Sequence, residues 1–110
     1  MFTTNALDSQ LILITGASRG IGRALAHTCA RAGAHVIVSA RSERGHQAVV
    51  TSIQAEGGRA EGVTLDVTQE ERVTRVVQAL IEQHGRIDAL VNCAGVIQYD
   101  TPVWQTSVRD

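Results

Sequence analysis

The sequence predicts a three-layer α/β domain built on a parallel sheet. Two patterns predict it. Short, almost uninterrupted apolar runs alternate with segments of helical periodicity, and this alternation repeats along the chain and ends on an apolar run. Strands apolar throughout, rather than at every second residue, are buried on both faces, as a parallel sheet between helices requires. A third observation sets the scale: 110 residues, 44% hydrophobic and 19% charged, suit one ordinary globular core and do not suit two.

The first run, residues 11–15, reads Leu-Ile-Leu-Ile-Thr and is closed by Gly16. Residues 21–32 follow as a helix. Ile21, Leu25 and Cys29 form one stripe, with Ala24, Thr28 and Ala32 beside it, and Gly33 serves as C-terminal cap. Residues 35–39 are the second strand. Residues 42–56 form a weaker helix, apolar at Ala48, Val49, Ile53 and Ala55, and Gly57-Gly58 ends it. Residues 60–65 are a third, moderately apolar strand. Thr68-Gln69-Glu70-Glu71 matches a capping box, with Thr68 at the cap and Glu71 reaching back. The helix it opens is the clearest in the chain, with Val73, Val76, Val77, Leu80 and Ile81 at helical spacing. His84 suits its negative end, and Gly85 stops it. Residues 89–92 are the fourth strand. After Gly95 the pattern fades, and Pro102 breaks it. Helices of this length between strands imply parallel pairing through right-handed crossovers.

Composition excludes several functions. The net charge is -1, without the basic footprint of a nucleic-acid binder. The longest apolar run is far too short to span a membrane. The first ten residues show neither the basic start nor the apolar stretch of a secretory leader, so the expected setting is cytoplasmic. Cys29 and Cys93 fit neither a disulfide framework nor a zinc site, and no metal site is expected; two buried, reduced thiols are.

The most informative stretch is Thr15-Gly16-Ala17-Ser18-Arg19-Gly20-Ile21-Gly22, between the first strand and the first helix. Glycines there let the backbone turn tightly and approach a ligand, and the helix start then presents N–H groups and a positive dipole end to an anion. A pyrophosphate fits. A P-loop is excluded, because it needs a lysine after its last glycine and the ten basic residues are all arginine. Gly16-Ala17-Ser18-Arg19-Gly20 also matches the nucleophile elbow of α/β-hydrolases, with Ser18 as nucleophile. Against that reading, only ten residues precede the first strand, and the histidines are scattered. A methyltransferase is a third option, but those proteins usually place an acid at the end of the second strand.

That strand end discriminates among cofactors. An NAD site wants a carboxylate about 20 residues past the glycines to hold the ribose hydroxyls. Here the strand runs out through Ser39-Ala40-Arg41, with no acid before Glu43. Arg41, with Arg19 in the glycine turn, suits a 2′-phosphate, which a guanidinium meets with planar paired donors. NADP(H) is therefore favoured over NAD(H).

With these features and Asn92-Cys93-Ala94-Gly95 in view, the chain resembles the short-chain dehydrogenase/reductase family. Residues 15–22 match its Thr-Gly-x-x-x-Gly-x-Gly, Leu65-Asp66-Val67 looks like its adenine-contacting segment, and residues 92–95 match its Asn-Asn-Ala-Gly except at Cys93. The resemblance implies a Rossmann-type sheet of strand order 3-2-1-4 and an NADP(H)-dependent oxidoreductase acting on a small-molecule carbonyl or alcohol. It implies that Gly16, Ser18, Gly20, Ile21 and Gly22 line the pyrophosphate and that Arg19 and Arg41 take the 2′-phosphate. Asp66 and Val67 would contact the adenine, and Asn92, Ala94 and Gly95 would pass beside the ribose.

The family's chemistry uses a Tyr-x-x-x-Lys pair. The single tyrosine, Tyr99, has Val103 four residues on, and lysine is absent. The expectation is therefore the cofactor-binding half of such an enzyme, with no catalytic residue and no hydride transfer from this chain alone. Right-handed crossovers then leave strand four as an open edge, prone to self-association. The alternatives are a non-catalytic dinucleotide-binding or interaction module and, more remotely, the Ser18 hydrolase.

Overall fold

The computed structural model describes residues 6–93. Four strands, β1 (Leu11–Thr15), β2 (His35–Ala40), β3 (Arg59–Thr64) and β4 (Ala89–Asn92), alternate with three helices, α1 (Gly20–Arg31), α2 (Glu43–Ala55) and α3 (Glu70–His84). All pairings are parallel, in the order β3-β2-β1-β4. The expected topology is therefore the one found, and β1 and β4 have the expected limits. β2 runs one residue further, β3 lies one residue earlier, and α1 likewise begins and ends one residue earlier.

Successive strand residues face opposite sides of the sheet. Ile12, Ile14, Val36 and Val38 point into one core with Ala26 and Ala30 of α1 and Val49, Val50 and Ile53 of α2. Leu11, Leu13 and Ile37 point the other way, onto Leu80 of α3. This is why β1 is apolar from Leu11 to Ile14 and β2 from Val36 to Val38: each of these residues is buried on one side of the sheet or the other.

Several local expectations are corrected. The inward stripe of α1 is Gly22, Ala26 and Ala30, not the Ile21 row. A row at i, i+4 advances by roughly 40° per step in a helix of about 3.6 residues per turn. Ile21 is the member furthest from the sheet, at 75% exposure, while Leu25 and Cys29 are half-buried at the core's edge. In α2 the buried stripe is His46, Val49, Val50 and Ile53; Ala48 and Ala55 are exposed. Both alanines favour the helix without needing burial. In α3, Val73 and Leu80 are buried, whereas Ile81 is 42% exposed.

The capping box at Thr68 is not formed. Gln69 is the cap residue, with no side-chain cap bond. The Thr68 hydroxyl and N–H both donate to Asp66 Oδ1, at 2.7 and 3.0 Å. A carboxylate two residues upstream is the stronger acceptor and draws Thr68 into a local turn ahead of the helix. Gly85 does close α3, with φ 91° and its N–H donating to Ile81 O. The two cysteines are free but only partly buried, not fully so as expected. Among the described residues β4 pairs with β1 alone, and Leu90 is 50% exposed.

Candidate dinucleotide site

The C-terminal ends of β1, β2 and β3 are knitted together by backbone hydrogen bonds. Ala17 N–H donates to Ser39 O at 3.0 Å, Leu65 N–H to Ala40 O at 2.8 Å, and Cys93 N–H to Thr15 O at 3.1 Å. These bonds place the turns that follow each strand around one crevice. In open parallel sheets, ligands bind at this end, where the strand order reverses. The reversal falls at β1, because β2 and β3 lie to one side of it and β4 to the other.

The crevice has a volume of about 460 Å³, within the roughly 300–1,000 Å³ usual for small-molecule sites. One wall is the glycine turn, with Gly16, Ser18, Arg19 and Gly20; a second is Ala40 and Arg41 after β2; a third is Leu65 to Thr68 after β3, with Cys93 closing the β4 side. Gly16 and Gly20 have φ of 63° and 62°, a left-handed backbone that L side chains rarely adopt. Helix α1 has no side-chain cap at Arg19 and no acid in its first turn. Its leading N–H groups are thus left for an anion, which the helix dipole also favours. This donor set fits a pyrophosphate.

Arg19 and Arg41 are exposed and lie on separate turns, yet both line the crevice. Asp66 joins them. The bond from the Thr68 hydroxyl, then that from the Thr68 N–H, and more weakly the charge of Arg41, hold its carboxyl below the usual range. It is therefore an anion at neutral pH, with a lone pair left for a further donor.

Of the residues singled out in the sequence, Gly16, Ser18, Arg19, Gly20, Arg41, Asp66 and Val67 come together around the crevice. Ile21, Gly22 and Asn92 are not among its walls. Gly22 lies under the turn: a Cβ there would collide with the Gly16 carbonyl oxygen, so the glycine lets α1 pack closely against the turn that follows β1. Asn92 Oδ1 accepts a 2.8 Å bond from the Thr15 hydroxyl and ties β4 to β1. Ala94, Gly95 and Tyr99 lie outside the described residues. Ala40, Leu65, Thr68 and Cys93 also line the crevice. For Ala40 and Leu65 the available signal was adjacency to Arg41 and Asp66.

A parallel β3-β2-β1-β4 sheet with a glycine turn opening α1 and a crevice beyond the strand ends defines the Rossmann-type class. Within that class, residues 10–109 match the family model described as short chain dehydrogenase, and the chain belongs to that family. It is 46% identical over 96 residues to the short-chain reductase protein NovJ of Streptomyces niveus, covering 86% of this chain and 37% of that protein. It is 40% identical to a 3-oxoacyl-[acyl-carrier-protein] reductase of Synechocystis, covering 96% of this chain and 42% of that one. A metagenomic short-chain oxidoreductase solved in complex with NADP superposes with a TM-score of 0.81 at 36% identity, over 93% of this chain and 46% of that one. The chain thus spans about two-fifths of the length of these curated relatives. No helix among the described residues is long and apolar enough to cross a membrane.

Proposed function

We propose that this chain is the cofactor-binding part of an NADP(H)-dependent oxidoreductase acting on small carbonyl or alcohol substrates. The observation that carries the choice of cofactor is the convergence of Arg19 and Arg41 on one crevice, with arginine and not an acid at the end of β2. Gly16, Ser18, Gly20 and the first N–H groups of α1 hold the pyrophosphate, Asp66 and Val67 the adenine, and the two guanidinium groups the 2′-phosphate. Ile21 completes the pyrophosphate set, and Asn92, Ala94 and Gly95 pass beside the adenosine ribose. The nicotinamide supplies hydride chemistry when bound; these residues bind and orient it. The NADP complex of the metagenomic relative supports this reading. A tyrosine paired with a lysine four residues on is not found in these 110 residues, so they bind cofactor without turnover. The half-exposed Leu90 on β4 favours self-association along that strand.

The test is titration of Arg41→Ala with NADPH and NADH. Charge-assisted bonds are worth roughly 1.5–3 kcal/mol each, so NADPH should bind about 10- to 100-fold more weakly while NADH is unchanged. Equal losses for both would overturn the 2′-phosphate assignment.

A further inference from the structure

Arg19 and Arg41 reach one crevice from two different turns, so something must set the gap between those turns. The geometry points to Gly45 as the residue that sets it: the missing side chain in the first turn of α2 lets the Arg41 turn and the Arg19 turn close to a spacing that a 2′-phosphate can bridge. This inference rests on the NADP(H) reading above and names a positioning residue that never touches the cofactor.

The contact is direct. A Cβ added to Gly45 would stand 3.1 Å from Ser18 Cβ and 3.1 Å from Ser42 Oγ. Ser18 precedes Arg19, and Ser42 follows Arg41. Ser42 Oγ also accepts the Gly45 N–H at 3.1 Å and so caps α2. Any residue larger than glycine therefore presses on the neighbours of both arginines at once.

Helix α2 has little room to retreat. His46, the next residue, is buried on the β3 side, where its Nε2 lies 2.9 Å from the Thr64 hydroxyl. Its ring rests on Gly62, where a Cβ would collide with His46 Nδ1. Val49 and Val50 one turn further along, and Ile53 two turns along, are buried in the core. With α2 pinned to β3, the overlap at Gly45 is relieved by moving the glycine turn, which carries Arg19 away from Arg41.

The consequence separates stability from specificity. Alanine at an ordinary helical position is more favourable than glycine. At Gly45 that preference offsets part of the cost of the squeeze on Ser18 and Ser42, so Gly45→Ala is expected to stay folded with a melting temperature near that of the wild type and still to lose discrimination for the 2′-phosphate. The measurement is calorimetric titration of the chain with 2′,5′-ADP and with 5′-AMP, which differ only in that phosphate. Wild type should prefer 2′,5′-ADP by about tenfold or more, by the strength of charge-assisted bonds. Gly45→Ala should cut that ratio by about three- to tenfold, by the same reckoning. Ser18→Gly combined with Gly45→Ala removes the opposing Cβ and should restore the ratio, even if both ligands bind more weakly. A wild-type preference that survives intact in Gly45→Ala overturns the role of Gly45 alone, and so does a ratio that the double variant fails to restore. A wild type with no preference overturns the NADP(H) reading and this inference with it.

Discussion

On the face of the sheet covered by α1 and α2, Ile12, Ile14, Val36 and Val38 meet two helices that also touch each other; on the opposite face, Leu11, Leu13 and Ile37 meet α3. The first face is close-packed through small residues. Gly22, Ala26 and Ala30 bring α1 down onto the sheet, and Gly58 packs beneath Ile53 and beside Ala30. The second is thinner among the described residues: Leu80 is the one buried helical residue in its core cluster, with Val76, Val77 and Ile87 partly buried against it, while Val73 of α3 is buried outside that cluster. The difference bears on function. Both arginine-bearing turns lead into helices of the close-packed face, so the site inherits its geometry from that side.

The sharpest way to break this comparison is to truncate one residue on each face. Both Ile14 and Leu80 are buried, but Ile14 is enclosed by helices and strands on all sides. Ile14→Ala should cost about 4 kcal/mol and Leu80→Ala about 2, within the range of roughly 2–5 for such truncations, because the thinner face can settle around the smaller residue. Urea denaturation of the two variants decides it. Equal losses would mean that α3 holds the sheet as firmly as α1 and α2 together.

A second substitution tests the close-packed face where it meets the crevice. A Cβ at residue 22 would collide with the Gly16 carbonyl oxygen and press on Ala17 Cα. The obstruction is backbone, which no side-chain rotation relieves. Gly22→Ala should therefore destabilise by about 2 kcal/mol, as overpacking does, despite alanine's helix preference of about 1 kcal/mol over glycine. Cofactor binding should weaken with it, since Gly16 must move. A variant as stable as wild type, with binding intact, would show that α1 does not depend on this approach.

The same contrast explains what could be read in the chain and what could not. Strands β1 and β2 are legible because burial on both faces demands unbroken apolar runs, Leu11 to Ile14 and Val36 to Val38, and Gly85 marks the end of α3 by its left-handed backbone. The glycine turn, Arg41 and Asp66 carry chemical signatures that survive without coordinates. The inner face of α1 does not: glycine and alanine carry little hydrophobic signal, so the larger Ile21 row drew attention while the small residues made the contact. His46 is hidden for a related reason. A polar residue in the first turn of a helix looks solvated until β3 is known to supply Thr64 and the space over Gly62. The capping box failed because Asp66 competes for Thr68, a contest that spacing does not reveal. The bond that Asn92 accepts from Thr15 spans 77 positions and is visible only once β4 lies beside β1.

Asp88 offers the finest test, on the edge where β4 joins the sheet. Its Oδ2 accepts the Leu11 N–H at 2.7 Å, while its own N–H donates to Leu11 O at 2.8 Å, so the side chain completes a reciprocal pair at the start of the β1–β4 ladder. Arg86 Nε donates to Oδ1 at 2.8 Å. The Leu11 bond first, and Arg86 second, hold the Asp88 carboxyl below the usual range. With the native pKa depressed, the unfolded chain binds the proton more readily. The contribution to stability is thus complete above the unfolded carboxylate value of about 3.9 and is lost as pH falls through the native one. Asp88→Asn keeps an acceptor for Leu11 but removes the titrating charge. It should lower the melting temperature modestly at pH 7, where the contribution is complete, and flatten its decline below about pH 4, the unfolded carboxylate region, so that the two proteins converge in acid. A decline as steep as that of the wild type would assign the acid sensitivity to other carboxylates. Among the described residues, Asp66 and Glu56 are the other two carboxylates whose pKa values are held low, and both lie on the α2–β3 side of the molecule rather than on the edge that β4 occupies.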